Sequence, residues 1–384
     1  MQSKGGNASR MKQENRLLVL RMLRSGAMSR AEVSRRTGLT RAAVSLIIDP
    51  LLEQGMVTEL GPGEAVHGRK PVLLAINQTA RAALAINITR RCCWVGVMDL
   101  GGNCHAKRKL PLLQTPQATL EAARQALDEL LERQGLSPTD VVGLGITAPG
   151  PLDRANGVIL RPPNFDGWRD IAVLPYVSYP FPVFLENNAS ALALAERQSG
   201  SVAGYQNYML LTVDSGVGAG IVQNGQLLRD LSGFGSELGH TTIQFDGKPC
   251  GCGNRGCLEA YASMPELLKQ ARQMGVEADC WREIADGAAA GQLECSRLLE
   301  QEAAYLAAGI VSAVNLFALQ AVVLSGDIAY RPQQLTSRIA QLICGRTLSA
   351  EPDILVSEIL DETGLTAASM LAVDAFFQSG DEKL

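Results

Sequence analysis

Four side chains that bind soft cations fall in one short stretch: His240, Cys250, Cys252 and Cys257. Zinc in a structural site takes four ligands, usually thiolates and imidazole nitrogens at the corners of a tetrahedron. Gly251, Gly253 and Gly256 interleave the cysteines, and glycine lets a backbone turn tightly enough to aim three thiolates at one ion. His240 supplies the fourth corner from ten residues upstream. Buried cysteines are also common as small hydrophobes, but three crowded among glycines and charges fit that role poorly. The expected cofactor is therefore a structural Zn2+. With four protein ligands it has no open position for a reacting water, so no catalytic role is assigned to it.

The wider pattern is a Glu237-x-x-His240 pair followed by Cys250-x-Cys252-Gly253-x-x-Gly256-Cys257-Leu258-Glu259. It resembles the signature of the ROK family, named for repressors, open reading frames and sugar kinases, and the resemblance covers about residues 15 to 375. It implies a zinc-braced, two-lobed α/β body of the actin and hexokinase type with a sugar between the lobes. It also implies that Asn164, Asn187, Glu237 and Glu259 hydrogen-bond a hexose, that the zinc loop positions Glu237, His240 and Glu259, and that His240 belongs to the sugar-binding set as well as to the metal set. Carboxylates and amides suit vicinal hydroxyls, since one group can serve two of them. The bland alternative for these acids is a surface or capping role.

Two departures separate this chain from the family's kinases. Their catalytic run reads Asn-Asp-Ala-Asn, and the aspartate takes a proton from the sugar hydroxyl. Here Glu186-Asn187-Asn188-Ala189 puts Asn188 in that place. An amide is no general base, and such a base contributes typically about 10²- to 10⁴-fold in rate. Asn188 can still donate to and accept from a sugar. The kinases' first phosphate loop resembles Asp-x-Gly-x-Thr, whereas this chain has Asn87-Ile88-Thr89-Arg90-Arg91, without the acid or the glycine. A second glycine-rich run, Asp214 through Gly220, survives, and it serves equally well as a simple turn between strands. No catalytic residue is assigned.

These residues must be positioned by the body that follows Arg81. Residues 82–88, 94–100, 104–110, 141–146, 183–185, 208–213, 219–223 and 321–324 read as strands, and 119–134, 264–274, 280–290, 292–317 and 366–377 as helices, with another helix following the run 186–191 and ending at Glu196. Loops 147–151 and 162–168 fall where α/β sheets build ligand sites, beyond the carboxyl ends of strands. Phe165 and Trp168 in the second loop read as packing residues. No internal repeat stands out.

The first seventy residues differ in charge. Residues 1–71 hold 12 Lys+Arg against 6 Asp+Glu, and the remainder 23 against 33, within a total of 35 and 39. A basic module on an acidic body suggests contact with a polyanion. A helix over 15–25 ends at Gly26. Ser29 and Glu32 form a capping box for a second helix, and Thr40 caps a third that runs to about Gln54. Helix, glycine turn, helix is the helix-turn-helix arrangement, whose second helix reads the major groove by its N-terminal residues. Here those are Thr40, Arg41, Ala42 and Ser45. Pro50 predicts a kink or an end near Asp49. Strands at 56–60 and 71–76 then make a wing, with Arg69 and Lys70 in its loop suited to a narrow, negative minor groove.

Nothing here points to a membrane or an oxidising compartment. No run of eighteen apolar residues is present and the N-terminus lacks a signal core. Six cysteines lie scattered outside the metal stretch, as reduced thiols of a cytoplasmic protein do.

The expected organisation is an α/β protein with an N-terminal winged helix-turn-helix. Residues 1–77 are the DNA-binding domain, 81–190 a first lobe and 191–384 a second lobe with the zinc loop. A helix at 366–377 packs back on the first lobe. The expected function is that of the family's sugar-responsive repressors, those for N-acetylglucosamine and glucose. Such a protein binds a double-stranded operator as a homodimer or dimer of dimers and answers to a sugar or sugar phosphate. The alternatives are a sugar kinase with a fused DNA-binding head, and a regulator controlled by a protein such as a sugar-transporter subunit.

Overall fold

The computed structural model describes residues 4–62, 71–199, 201–202, 204–229, 236–359 and 364–379. Helix α1 (Lys4–Arg24) begins well before residue 15. Its later turns bury Val19, Leu20 and Leu23. Residues 10–14 are exposed, with an i,i+4 Arg10–Glu14 ion pair and no apolar stripe for periodicity to detect. Strand β1 (Met28–Ser29) leads into α2 (Arg30–Thr37), where the Ser29 hydroxyl accepts from Glu32 N–H. Only that half of the capping box forms, because the Glu32 carboxylate turns to Arg35 instead. Gly38, at φ 73°, ends the helix.

Thr40 caps α3 (Arg41–Glu53) by accepting from Ala43 N–H. Pro50 does not end this helix. The carbonyl it leaves without a donor belongs to Leu46, a residue 74 % exposed at the surface, where a missing donor costs least. Strands β2 (Val57–Pro62) and β3 (Val72–Ile76) pair antiparallel, and β1 adds to β3. The loop expected to carry Arg69 and Lys70 lies outside the described residues.

The body is built on two five-stranded sheets of the same design. In the first, β4 (Ala82–Ile88), β5 (Cys92–Asp99) and β6 (Cys104–Pro111) form an antiparallel meander. Helix α4 (Pro116–Gln134) crosses to β7 (Val141–Ala148), parallel to β4. Three two-residue strands, β8 (Leu152–Asp153), β9 (Val158–Ile159) and β10 (Ile171–Ala172), make a small separate sheet. The chain then returns as β11 (Val183–Asn187), parallel to β7, and runs directly into α5 (Asn188–Ser199).

In the second sheet β12 (Tyr208–Val213), β13 (Val217–Gln223) and β14 (Gln226–Leu227) are the meander. Five helices follow in the chain, separated by β15: α6 (Glu259–Ala262), α7 (Met264–Gln273), α8 (Trp281–Ala289), α9 (Leu293–Phe317) and α10 (Pro332–Ile343). Strands β15 (Ala321–Gly326) and β16 (Asp353–Val356) extend the sheet parallel to β12. Both sheets are thus three antiparallel strands flanked by two parallel ones, a repeat with no counterpart visible in the residues. Among the described residues no helix is long and apolar enough to cross a membrane.

Helix α11 (Leu365–Ser379) ties the parts together. It lies on the first sheet so closely that any side chain on Gly145 of β7 would collide with the Ala368 backbone. Its far side meets α1. Arg21 donates to the carbonyls of Phe377 and Gln378, both at 3.0 Å. Arg24 pairs with Asp374 and stacks over the Phe377 ring at 4.7 Å. Asp374 also accepts from Gln198 of α5 at 3.4 Å. One hydrophobic cluster runs through Leu20 and Leu23 of α1, Met370 and Phe377 of α11, and Ala191 of α5. Fully burying a side chain such as Leu or Phe contributes about 1.5–3 kcal/mol, so the N-terminal helices are docked on the body rather than merely linked to it.

Candidate functional site

The cysteine loop is folded by its own backbone. Cys250 N–H donates to the Asn254 carbonyl at 2.9 Å and Gly256 N–H to Lys248 at 2.7 Å. Gly256 sits at φ 71° against Gln244, where a side chain would strike backbone. From above, the Tyr261 hydroxyl accepts from Lys248 N–H at 2.8 Å. The result draws one ligand atom each from His240, Cys250, Cys252 and Cys257 to within 4.8 Å of one another. A tetrahedral zinc with Zn–S of about 2.3 Å and Zn–N of about 2.0 Å requires edges of roughly 3.8 Å between sulfurs and roughly 3.5 Å from sulfur to nitrogen. The Cys252–Cys257 Sγ separation is 3.7 Å and that of Cys250 Sγ from His240 Nδ1 is 3.5 Å. The donor set therefore fits such an ion. Burial and the neighbouring thiols push the Cys257 thiol up to about 12 when no cation is bound; a bound cation would favour the thiolate.

Beside the loop lies a cleft of about 720 Å³. Asn164, Glu237 and His240 line it, with Gly251 and Cys252 of the cysteine loop and Pro151 of the loop after β7. Since Nδ1 of His240 faces Cys250, Nε2 is the ring atom left for a ligand. Asn164 adopts φ 55°, a left-handed conformation that asparagine tolerates better than most residues. Its amide rests on Gly251: a Cβ there would lie 2.5 Å from Asn164 Oδ1. The metal loop and the sugar-candidate loop are thus in direct contact. Phe165 and Trp168 stack at 4.8 Å and are buried, and their packing shapes the floor of this loop.

The remaining candidates sit deeper. Asn187 ends β11, and its Oδ1 accepts from Ala189 N–H at 2.9 Å and so caps α5. Its Nδ2 lies with Glu237 Oε1 against Gly150, 2.7 and 3.1 Å from the position of a Cβ there. Asn188 donates to the Ile88 carbonyl at 3.2 Å, and its buried Oδ1 has no partner among the described residues. Glu259, 7 % exposed, accepts from Val217 N–H at 3.0 Å and adjoins Gly216. Asn164, Glu237 and His240 therefore line the cleft, Asn187 lies beside Glu237 at Gly150, Glu259 sits at the glycine turn, and Asn188 turns to the end of β4.

Four charged side chains here went unassigned from sequence. Glu186, 2 % exposed, accepts from Arg154 at 3.2 Å and from Arg229 at 3.1 Å, joining chain segments before β11 and after β14. Arg161 and Arg169 stand at the cleft mouth. Arg90 donates from Nε to the Pro163 carbonyl at 3.1 Å. For Arg161 and Arg169 the only sequence signal was arginine in a proline- and glycine-containing loop.

At the other end of the molecule, Thr40, Arg41 and Ala42 are exposed at the start of α3 and Ser45 is half-buried. Val44, Ile48 and Leu51 face the core.

The chain aligns with a xylose repressor of Bacillus spizizenii at 30% identity over 373 residues, covering 95% of this chain and 96% of the relative. A solved ROK family transcriptional regulator, described as a homolog of the E. coli MLC protein, superposes with a TM-score of 0.79 at 26% identity, over 96% of this chain and 97% of that one. A ROK hexokinase from Thermus thermophilus superposes with a TM-score of 0.64 at 31% identity, over 77% of this chain and 99% of the enzyme. Residues 83–375 match the ROK family itself, and this chain is a member of it.

Proposed function

We propose that this chain is a sugar-responsive transcriptional repressor of carbohydrate-metabolism genes, with a structural zinc and no enzymatic activity. Residues 1–77 act as a winged helix-turn-helix, 81–190 and 191–384 as the two lobes. One observation carries the reading. The exposed N-terminal turn of α3 belongs to a head docked on α11 of a body whose cleft is lined by Asn164, Glu237 and His240 but which has Asn188 where the family's kinases have an acid. Thr40, Arg41, Ala42 and Ser45 read the major groove, with Arg69 and Lys70 in the minor groove. Asn164, Asn187, Asn188, Glu237, His240 and Glu259 bind a sugar or sugar phosphate. Zinc would hold His240 and the three thiolates as a brace, and its chemistry is confined to that. The xylose repressor's name and likeness to an MLC homolog support this assignment. Likeness to a hexokinase does not favour catalysis, since an amide at Asn188 accepts no proton from a sugar hydroxyl.

In a homodimer the ligand releases DNA by binding one arrangement of the heads better than the other, which is all an effector can do. The test is fluorescence anisotropy with duplex from the protein's own promoter region. Affinity should fall steeply with salt, as phosphate contact requires, and fall again with one of xylose, glucose, N-acetylglucosamine or their phosphates. Indifference to every duplex at low salt, or phosphorylation of a hexose from ATP at an enzymatic rate, would overturn it.

A further inference from the structure

A buried carboxylate immediately precedes Asn187 on β11. Both oxygens of Glu186 are engaged. Oε1 accepts from Arg154 Nη1 at 3.2 Å and from the backbone N–H of Asn187 at 3.0 Å, and Oε2 accepts from Arg229 Nε at 3.1 Å. The two arginines come from different parts of the body. Arg154 lies on the turn between β8 and β9 of the small sheet, whose next connection, from β9 to β10, carries Asn164. Arg229 follows β14 of the second sheet, next to Leu228, whose N–H donates to the Ile221 carbonyl at 2.7 Å. One carboxylate thus joins the first sheet, the small sheet and the edge of the second. A buried charge needs such partners, because leaving it unpaired costs far more than an exposed ion pair contributes.

What this carboxylate holds is the backbone where β11 becomes α5. Glu186 takes the Asn187 N–H, while Asn187 Oδ1 turns forward to Ala189 N–H at 2.9 Å. The asparagine is fixed on both sides, and its Nδ2 is presented beside Glu237 Oε1 at Gly150. Glu237 itself follows Arg229 in the chain. We infer that Glu186 is a positioning residue for the cleft: it sets the peptide of Asn187 and, through Arg229, fastens that residue's strand to the segment after β14. Groups that bind a ligand keep their aim only when a supporting layer fixes them. The inference rests on the proposed function only in taking Asn187 as a sugar contact.

Arg229 is the place to test it, because its side chain is 50 % exposed and its loss leaves Arg154 on the carboxylate. Hydrogen exchange resolved to single amides, on the full-length, zinc-loaded protein, reads Asn187 without any ligand. R229M keeps an aliphatic stem and removes the charge. The Asn187 amide should then exchange about tenfold faster, the effect of losing one hydrogen bond from a charged donor, with the amides of α9 unchanged. R229K still supplies a cation and should stay within about threefold of the parent. In E186Q, adding R229M should accelerate exchange less than about twofold further, since the charge it answered is gone. Equal exchange in R229M and the parent, equal acceleration in R229M and R229K, or full additivity with E186Q overturns the inference. The same variants are titrated with D-xylose, D-glucose, N-acetylglucosamine and their phosphates. A sugar that binds the parent should bind R229M about tenfold more weakly; unchanged affinity alongside faster exchange also overturns it. Binding of none of these to the parent counts against the proposed function, and the exchange comparison still decides whether Glu186 holds Asn187.

Discussion

Replacing Gly251 by alanine should separate sugar binding from metal binding. The added methyl would lie 2.5 Å from Oδ1 of Asn164, 3.1 Å from its Cγ and 3.2 Å from its Nδ2. Carbon and oxygen need roughly 3.5 Å, so the amide must retreat by about 1 Å. Nothing at position 251 demands glycine for its backbone, since its φ is not among the positive values, and the obstacle is the end of a side chain that can rotate. Folding should therefore cost less than about 1 kcal/mol, and the flanking thiols Cys250 and Cys252 keep their places. A displaced amide, however, misaligns its hydrogen bonds to the ligand, each contributing about 0.5–1.5 kcal/mol. Sugar affinity should drop about tenfold. Calorimetry with the sugar that releases promoter duplex measures the drop, and mass spectrometry of the intact protein counts the zinc. Unchanged affinity in a variant whose Asn164 had moved would refute the placement of the sugar; loss of zinc would refute the claim that the two functions of this loop are separable.

Further outcomes follow from other parts of the molecule. Cys257→Ser should abolish metal retention and lower the melting midpoint by roughly 5–10 °C, and a chelator should reproduce this in the parent protein but not in the variant. Glu302 is fully buried on α9, neither oxygen has a partner among the described residues, and burial pushes its carboxyl well above the usual range. It folds protonated, so the folded state holds a proton that the unfolded chain releases. Its stability contribution is full below the ordinary glutamate value of 4.5 and is lost as pH rises through the folded one. Glu302→Leu should therefore stabilise by about 1–3 kcal/mol, with a larger gain in melting temperature at pH 8 than at pH 5; a gain independent of pH would contradict a neutral carboxyl. Arg24→Ala removes an ion pair whose side chains are both 17 % exposed, and a ring contact, weakening head docking by about 2–4 kcal/mol. Limited proteolysis should then cut near residues 77–81 faster, and exchanging the charges between Arg24 and Asp374 should restore part of the protection.

Local signals carried much of the body. Apolar runs such as Ala82–Ile88 and Tyr208–Val213 are buried strands, and in the head Thr40 caps its helix through its hydroxyl. The cysteines, spaced among glycines, converge because their ligand geometry is set within one loop. What was missed depends on distance in sequence. Helix α10 buries Leu335, Ile339 and Ile343 at four-residue intervals, but its polar residues and a leading proline masked that stripe. Strand β16 is four residues with no fully buried member, and acquires its identity only from β15. The equal design of the two sheets left no repeat because backbone pairing, not side-chain identity, defines it. Arg90 and Glu186 likewise take their meaning from partners far along the chain, and no spacing rule announces them.

The position of α11 in the chain has a consequence for how the protein comes into being. This helix follows every other described element in sequence, yet it is what α1, the first sheet and α5 all rest against. During synthesis the N-terminal helices emerge long before their seat exists. Until translation reaches residue 379 they hang from an unfinished body, and a ribosome-bound fragment cannot yet couple cleft to head. Shortening the gene from its far end should thus uncouple its near end, a polarity readable in vivo as constant repression or none, with the inducer ignored either way.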